Sequence, residues 1–203
     1  MKGYLVVEGF GEVDSAQNLI TRLSQDLGYG VPWSRPLRMH NLSLWSNRKG
    51  SALVAAEFIR TKRDAGALLI LLDSDEKCPK NIAPEFSLNL ASLNLPFPTG
   101  YVMFKPEYEV IFLPCLHRMT DLGLSKHCTW DEEHWESRRD VKGWLSRHMS
   151  TNRRYKPTVD QLAMTQRINF DEIRSASIPC FQSLERAVIK LCENFGKSGV
   201  VYP

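Results

Sequence analysis

The segment Ala67-Leu68-Leu69-Ile70-Leu71-Leu72 constrains this chain more than any other. Six successive apolar residues leave neither face polar, and Asp73-Ser74-Asp75 closes the run. A strand of this kind needs cover on both sides, as in a parallel sheet held between layers of helices. Its neighbours in sequence fit that demand. Tyr4-Leu5-Val6-Val7 is a shorter β-rich run ended by Glu8-Gly9, and Tyr101-Val102-Met103-Phe104 follows Pro98 and Gly100. Pro32 to Met39 holds a possible edge strand, and Asn41 to Gly50 reads as a polar loop.

Helical periods fill the intervals. A helix capped by Asp14 or Ser15 aligns Ala16, Leu19, Ile20, Leu23 and Leu27 and stops at Gly28. A second runs from Ser51 to about Asp64 with Leu53, Ala56 and Ile59 inward, and a third from Ala83 to Leu93 with Pro84 in its first turn. Strands alternating with helices imply right-handed crossovers. The predicted class is therefore α/β: a Rossmann-like, mainly parallel sheet flanked by helices. From Glu107 the character changes, and the segments Glu107–Leu116, Glu132–Met149, Thr158–Ile168 and Ile178–Phe195 all fit helices. This divides the chain into an α/β core, 1–115, and a helical C-terminal extension packed on it, 116–203. The last helix, with Phe181, Leu184, Ala187, Val188, Leu191 and Cys192, is amphipathic and is expected to close the core.

Composition narrows the function classes. The 203 residues hold 26 Lys+Arg against 23 Asp+Glu, a net charge of +3. That excess excludes a grossly basic coating protein but neither requires nor excludes a nucleic-acid partner. No apolar run is long enough to span a bilayer, so no membrane partner is expected. Met1 to Glu8 reaches a carboxylate too soon for a secretory signal. The five cysteines are odd in number and never spaced CxxC, which fits reduced thiols in a cytoplasmic protein. The oligomeric state is not legible.

The acidic residues carry the functional signal. Glu8 ends one strand, and Asp73 and Asp75 end another. The carboxyl ends of strands line the ligand crevice of an open parallel sheet, so neighbouring strands bring these three acids to one rim. Asp73 and Asp75 are two apart and face the same side of an extended segment. Such a cluster needs a counter-charge, and Mg²⁺ or Mn²⁺ suits oxygen ligands and phosphate chemistry. The competing reading is plain turn and cap chemistry. Glu12 adds a carboxylate near the same rim, or simply favours a helix N-terminus. Glu8-Gly9-Phe10-Gly11-Glu12 is a poor dinucleotide loop, because Asp14 occupies the place of the third glycine.

Val6-Val7-Glu8-Gly9 with Glu12, followed by Leu71-Leu72-Asp73-Ser74-Asp75, resembles the TOPRIM domain of topoisomerases, bacterial primases and small nucleases. Four further blocks are similar to the bacterial domain-of-unknown-function 4276 family, itself TOPRIM-like: 73–79, 107–113, 139–145 and 155–161. The resemblance implies Glu8, Asp73 and Asp75 as metal ligands, Glu12 as a second-metal ligand or general base, and a role in defence or genome maintenance beside an ATPase.

Other candidates surround this rim. Glu107 and Glu109 lie just past the Tyr101 strand and are candidates to complete the acidic rim; Glu107 is the better site residue, and for Glu109 a helix N-terminal acid is the preferred reading. Lys156 is a candidate for stabilising phosphate charge. Arg153, Arg154 and Tyr155, with Arg138, Arg139, Lys142 and Arg147 upstream, outline a positive face where Tyr155 would stack on a base; a solvated charged surface is the other reading. His117, His127, Cys128, His134 and His148 match no structural zinc spacing. Trp130, Trp135 and Trp144 are read as packing residues.

The expectation is metal-dependent phosphodiester chemistry on DNA or RNA. The alternative is a non-catalytic partner of an ATPase or toxin-like protein.

Overall fold

The computed structural model describes residues 1–40, 51–75, 77–130, 135–136, 139–150, 153–197 and 201–202. The polar loop read at Asn41–Gly50, His134, Arg138 and the first part of the helix read from Glu132 lie outside them. Among the described residues there are five strands: β1 (Lys2–Val7), β2 (Leu37–Arg38), β3 (Ala65–Asp73), β4 (Thr99–Phe104) and β5 (Val201–Tyr202). All pair in parallel, in the order β2-β1-β3-β4-β5.

β3 behaves as its composition demands. Every residue from Gly66 to Leu72 is buried. Side chains alternate between two apolar layers, following the period-two pleat. Leu5, Val7, Leu69, Leu71, Val102 and Phe104 face one layer; Val6, Leu68, Ile70, Leu72, Tyr101 and Met103 face the other. Each buried Leu or Ile of β3 stabilises the fold by about 2 kcal/mol relative to an exposed position.

The first layer is α1 (Glu12–Asp26) together with the C-terminal helices α5 (Pro157–Arg167), α6 (Phe170–Ala176) and α7 (Pro179–Glu193). The second is α2 (Ser51–Arg60) and α3 (Pro79–Ala91). α7 closes the core as its amphipathic pattern predicts, burying Phe181, Leu184, Ala187, Val188 and Leu191. Residues on both sides of the change in character near 116 thus share one apolar layer, and β5 extends the sheet itself.

Several elements differ from expectation. α3 begins at Pro79, ahead of Ala83, so Pro84 lies inside the helix and not in its first turn. The segment after Glu107 is a long run of 3-10 turns, Tyr108–Leu122, with Pro114 inside it. Proline lacks the N–H and crowds the preceding turn, which opposes a regular α-helix there. α4 is only Val141–Arg147 among the described residues of the helix read from Glu132 to Met149. α1 begins at Glu12, ahead of the cap expected at Asp14 or Ser15.

No helix of the described residues is long and apolar enough to cross a membrane.

The strand order fixes where a ligand crevice lies. β1 connects to β2 on one side of itself, and the chain then crosses to β3 on the other. The carboxyl ends of β1 and β3 therefore flank a topological switch point.

Candidate metal centre

Beyond Asp73 the tails of β3 and β4 stay side by side. The Ser74 amide donates to the Phe104 carbonyl at 2.8 Å, and the Asp75 amide to the Pro106 carbonyl at 2.9 Å. This brings Asp73 against Glu107 and Glu109. One carboxylate oxygen from each of the three lies within 4.8 Å of the others.

Each acid is also held by a backbone or side-chain donor. Asp73 Oδ1 accepts from the Tyr108 amide at 2.8 Å, at the first residue of the 3-10 segment. Glu107 Oε1 accepts from the Lys142 amide at 2.8 Å, in the first turn of α4. Glu109 Oε1 accepts from the Tyr155 hydroxyl at 2.9 Å and from Gln161 Nε2 at 3.3 Å. The other oxygens converge on one ammonium: Lys142 Nζ stands 3.2 Å from Asp73 Oδ2, 2.9 Å from Glu107 Oε2 and 3.4 Å from Glu109 Oε2. Three hard oxygens surrounding a single cation are the central feature of this end of the sheet.

Glu12 adjoins the cluster from the β1 side. It is 6% exposed, and its carboxylate turns back over the β1–α1 turn to accept from the Glu8 amide at 3.2 Å. The glycines of that turn serve close packing. A Cβ on Gly9 would sit 2.7 Å from Glu12 Oε1, and one on Gly11 would sit 2.2 Å from Gln161 Oε1 and 2.7 Å from the Pro157 backbone. α5 can approach α1 this closely because residue 11 lacks a side chain.

The electrostatics follow from burial and like charge. Burial, then the Asp73 charge, raises the Glu12 pKa to about 7, against the pull of the Gly9 amide and Lys142. Burial raises Glu109 to about 8, with Asp73 and Glu107 adding to it and Lys142 opposing. Asp73 is also raised, by burial first, with Lys142 and the Tyr108 amide in opposition. Burial disfavours the Lys142 ammonium, but Asp73, Glu109 and Glu107 outweigh it and push its pKa up.

No family model, curated protein or solved structure matches this chain. The three-carboxylate donor set fits a hard divalent cation, which prefers oxygen ligands. Among the described residues, Asp73, Glu107 and Glu109 are a group that could hold one.

Of the acids singled out in sequence, the structure brings Asp73 and Glu107 together and sets Glu12 beside them. Glu8 lies half-buried after β1, outside the three-carboxylate group. Asp75 is exposed, and the same-side placement expected for Asp73 and Asp75 does not occur. Asp75 adopts φ +50°, a left-handed turn that ends the extended alternation on which the expectation relied.

Glu109 answers to both of its readings: it lies in the first turn of the 3-10 segment, and it is fully buried and completes the cluster. Lys142, read as part of a positive face, points into the acids instead. Tyr155 is corrected as a stacking residue: its ring is 5% exposed and its hydroxyl is committed to Glu109.

Arg153 is exposed but pairs with Asp160 at 2.7 Å. Arg154 and Lys156 are exposed, and the Lys156 amide donates to Asp160 Oδ2 at 2.8 Å. The Glu107-x-Glu109 spacing after a strand end was the signal for Glu109; nothing in sequence marked Lys142 as the partner of these acids.

Proposed function

We propose that this protein carries out divalent-metal-dependent phosphodiester chemistry on nucleic acid, as a TOPRIM-like nuclease. The observation that carries the reading is the convergence of Asp73, Glu107 and Glu109 at the carboxyl end of a parallel sheet, next to its switch point. The run of Glu8-Gly9 and Asp73-Ser74-Asp75 at two strand ends supports it through its resemblance to the TOPRIM pattern.

Asp73, Glu107 and Glu109 would hold Mg²⁺ or Mn²⁺. Bound there, the ion would polarise a phosphoryl oxygen and stabilise the charge of the leaving oxygen. Glu12, titrating near neutrality, is placed to take a proton from water on its carboxylate. Lys142 Nζ lies among the same oxygens, so a bound ion would displace its ammonium from between them. Tyr155 and Gln161 orient Glu109 and have no part in the proton step.

The test pairs binding with turnover. Wild type should show higher thermal stability in millimolar Mn²⁺ or Mg²⁺, because a ligand of the native state raises its stability. It should cleave single-stranded or duplex DNA, or RNA, only with the ion. Asp73→Asn should lose both effects while melting near the wild-type temperature without metal. Cleavage undiminished in Asp73→Asn, or none by the wild type with any substrate, overturns the reading.

The three ion pairs of Lys142 favour a second reading. Under it the cluster is a charge-balanced staple that fastens α4 to the sheet, in a non-catalytic partner of an ATPase. A stable complex with an ATPase and no metal-dependent stabilisation would select this alternative.

A further inference from the structure

The β1–α1 turn carries an exposed aromatic beside the acids. Phe10 lies between Glu8 and Glu12 and is 67% exposed. The Arg38 guanidinium stacks over its ring, 3.5 Å from the centroid. His40 meets the same ring edge-on at 6.4 Å, and Arg38 Nη1 lies 3.0 Å from His40 Nδ1. Arg38 is set by the sheet itself: it pairs with Val7, the residue before Glu8, and the next amide, Met39, donates to the Val7 carbonyl at 2.9 Å. An aromatic face, a guanidinium and an imidazole therefore share the rim of the crevice with Glu8 and Glu12, on the β2 side of the three-carboxylate cluster.

A large aromatic gains nothing from standing in water. Here it is held in place by a cation and faces out of a turn at the carboxyl edge of a parallel sheet, where ligands of such sheets bind. Aromatic rings accept unpaired bases by stacking, and an adjacent arginine binds the phosphate. A duplex offers no such face, because its bases are already stacked on one another.

We propose that Phe10, Arg38 and His40 form a platform for single-stranded nucleic acid: one base stacks on Phe10, and Arg38 takes the neighbouring phosphate. This deepens the proposed phosphodiester chemistry and rests on it for the direction of the strand toward Asp73. The binding itself needs no metal, so it is tested separately.

The experiment is fluorescence anisotropy with a labelled mixed-sequence 15-nucleotide single strand, in EDTA and low salt. Phe10→Ala and Phe10→Leu should weaken binding about tenfold, the scale of one lost stack, and Phe10→Trp should restore it. Arg38→Ala should weaken binding and lower the salt slope by about one counterion. Phe10 is exposed, so Phe10→Ala should melt with the wild type, which separates lost contact from lost fold. A single strand that binds equally well to Phe10→Ala, or not at all to the wild type, overturns the platform. So does a mononucleotide that competes as well as the strand, or a duplex that binds with the same Phe10 dependence. Metal-dependent cleavage lost in Asp73→Asn alongside Phe10-independent binding would sink the platform and leave the proposed chemistry standing.

Discussion

Replacing Lys142 by methionine removes the one cation among three buried carboxylates while keeping the length of the stem. In the native protein its Nζ lies 2.9–3.4 Å from Asp73, Glu107 and Glu109, whose side chains are 15%, 14% and 0% exposed. Taking one partner from a fully buried ion pair costs about 3–5 kcal/mol. Lys142 is 35% exposed, so water screens part of this, and about 2–3 kcal/mol is the appropriate scale. A chain of this length converts that to a melting temperature lowered by roughly 4–12 °C.

The loss should depend on pH and metal. Without the ammonium the Asp73 and Glu109 pKa values rise further, and the folded state binds more protons than the unfolded one. Stability of Lys142→Met should then recover as pH falls from 8 to 5. A divalent cation at a hundred times its dissociation constant should restore about 2.7 kcal/mol. Differential scanning fluorimetry in EDTA and in millimolar Mn²⁺, at both pH values, reads all of this. If Lys142→Met melts with the wild type at pH 8, or shows a deficit that neither acid nor Mn²⁺ repairs, the cluster is not the charged cage described here.

The wild type should show a milder version of the same dependence. Glu12 and Glu109 have folded pKa values of about 7 and about 8, above the ordinary carboxyl range, so their contribution is complete below about pH 4.5 and is lost as pH rises toward 8. Urea unfolding should therefore show falling stability from pH 5 to 8 in EDTA, and saturating Mn²⁺ should reduce the fall because the bound ion needs Glu109 ionised. Gly11→Ala should destabilise by about 1–3 kcal/mol, since its Cβ would stand 2.2 Å from Gln161 Oε1 and 2.7 Å from the Pro157 backbone; Gly9→Ala, which meets the movable end of Glu12, should cost less in the same titration. Tyr155→Phe removes one of two donors to Glu109 Oε1 and should cost about 1–3 kcal/mol at pH 8, with a smaller loss at pH 5 where Glu109 is protonated.

The sheet was legible because its strands announce themselves by composition. β3 is apolar throughout, β1 and β4 are short β-rich runs with clear ends, and α1, α5 and α7 keep a helical period. What failed to show is short or ambiguous. β5 has two residues and α6 has seven, too few for a period to stand out. The 3-10 segment buries Tyr108, Val110, Ile111, Phe112, Leu113, Cys115, Leu116 and Met119, a density that reads as helix at any spacing near three.

The site divides along the same physical line. Asp73, Glu107 and Glu12 were visible because strand ends and the turn after β1 fix their positions from local sequence. Asp75 misled because the alternation of an extended chain was carried beyond the end of β3 at Asp73 to a residue where the backbone turns left-handed. Lys142 and Tyr155 come from segments 69 and 46 residues away from their carboxylate partners, and only the folded chain aligns them. Their surroundings in sequence, Arg138-Arg139 and Arg153-Arg154, looked like a uniform positive surface. The fold sorts those cations by depth: Lys142 turns inward to the acids, while Arg153, Arg154 and Lys156 stay at the surface. A net charge of +3 is thus the sum of a buried acidic cluster with too few cations and a surface with more than it needs, and it is the buried deficit that creates a demand for a further cation or proton.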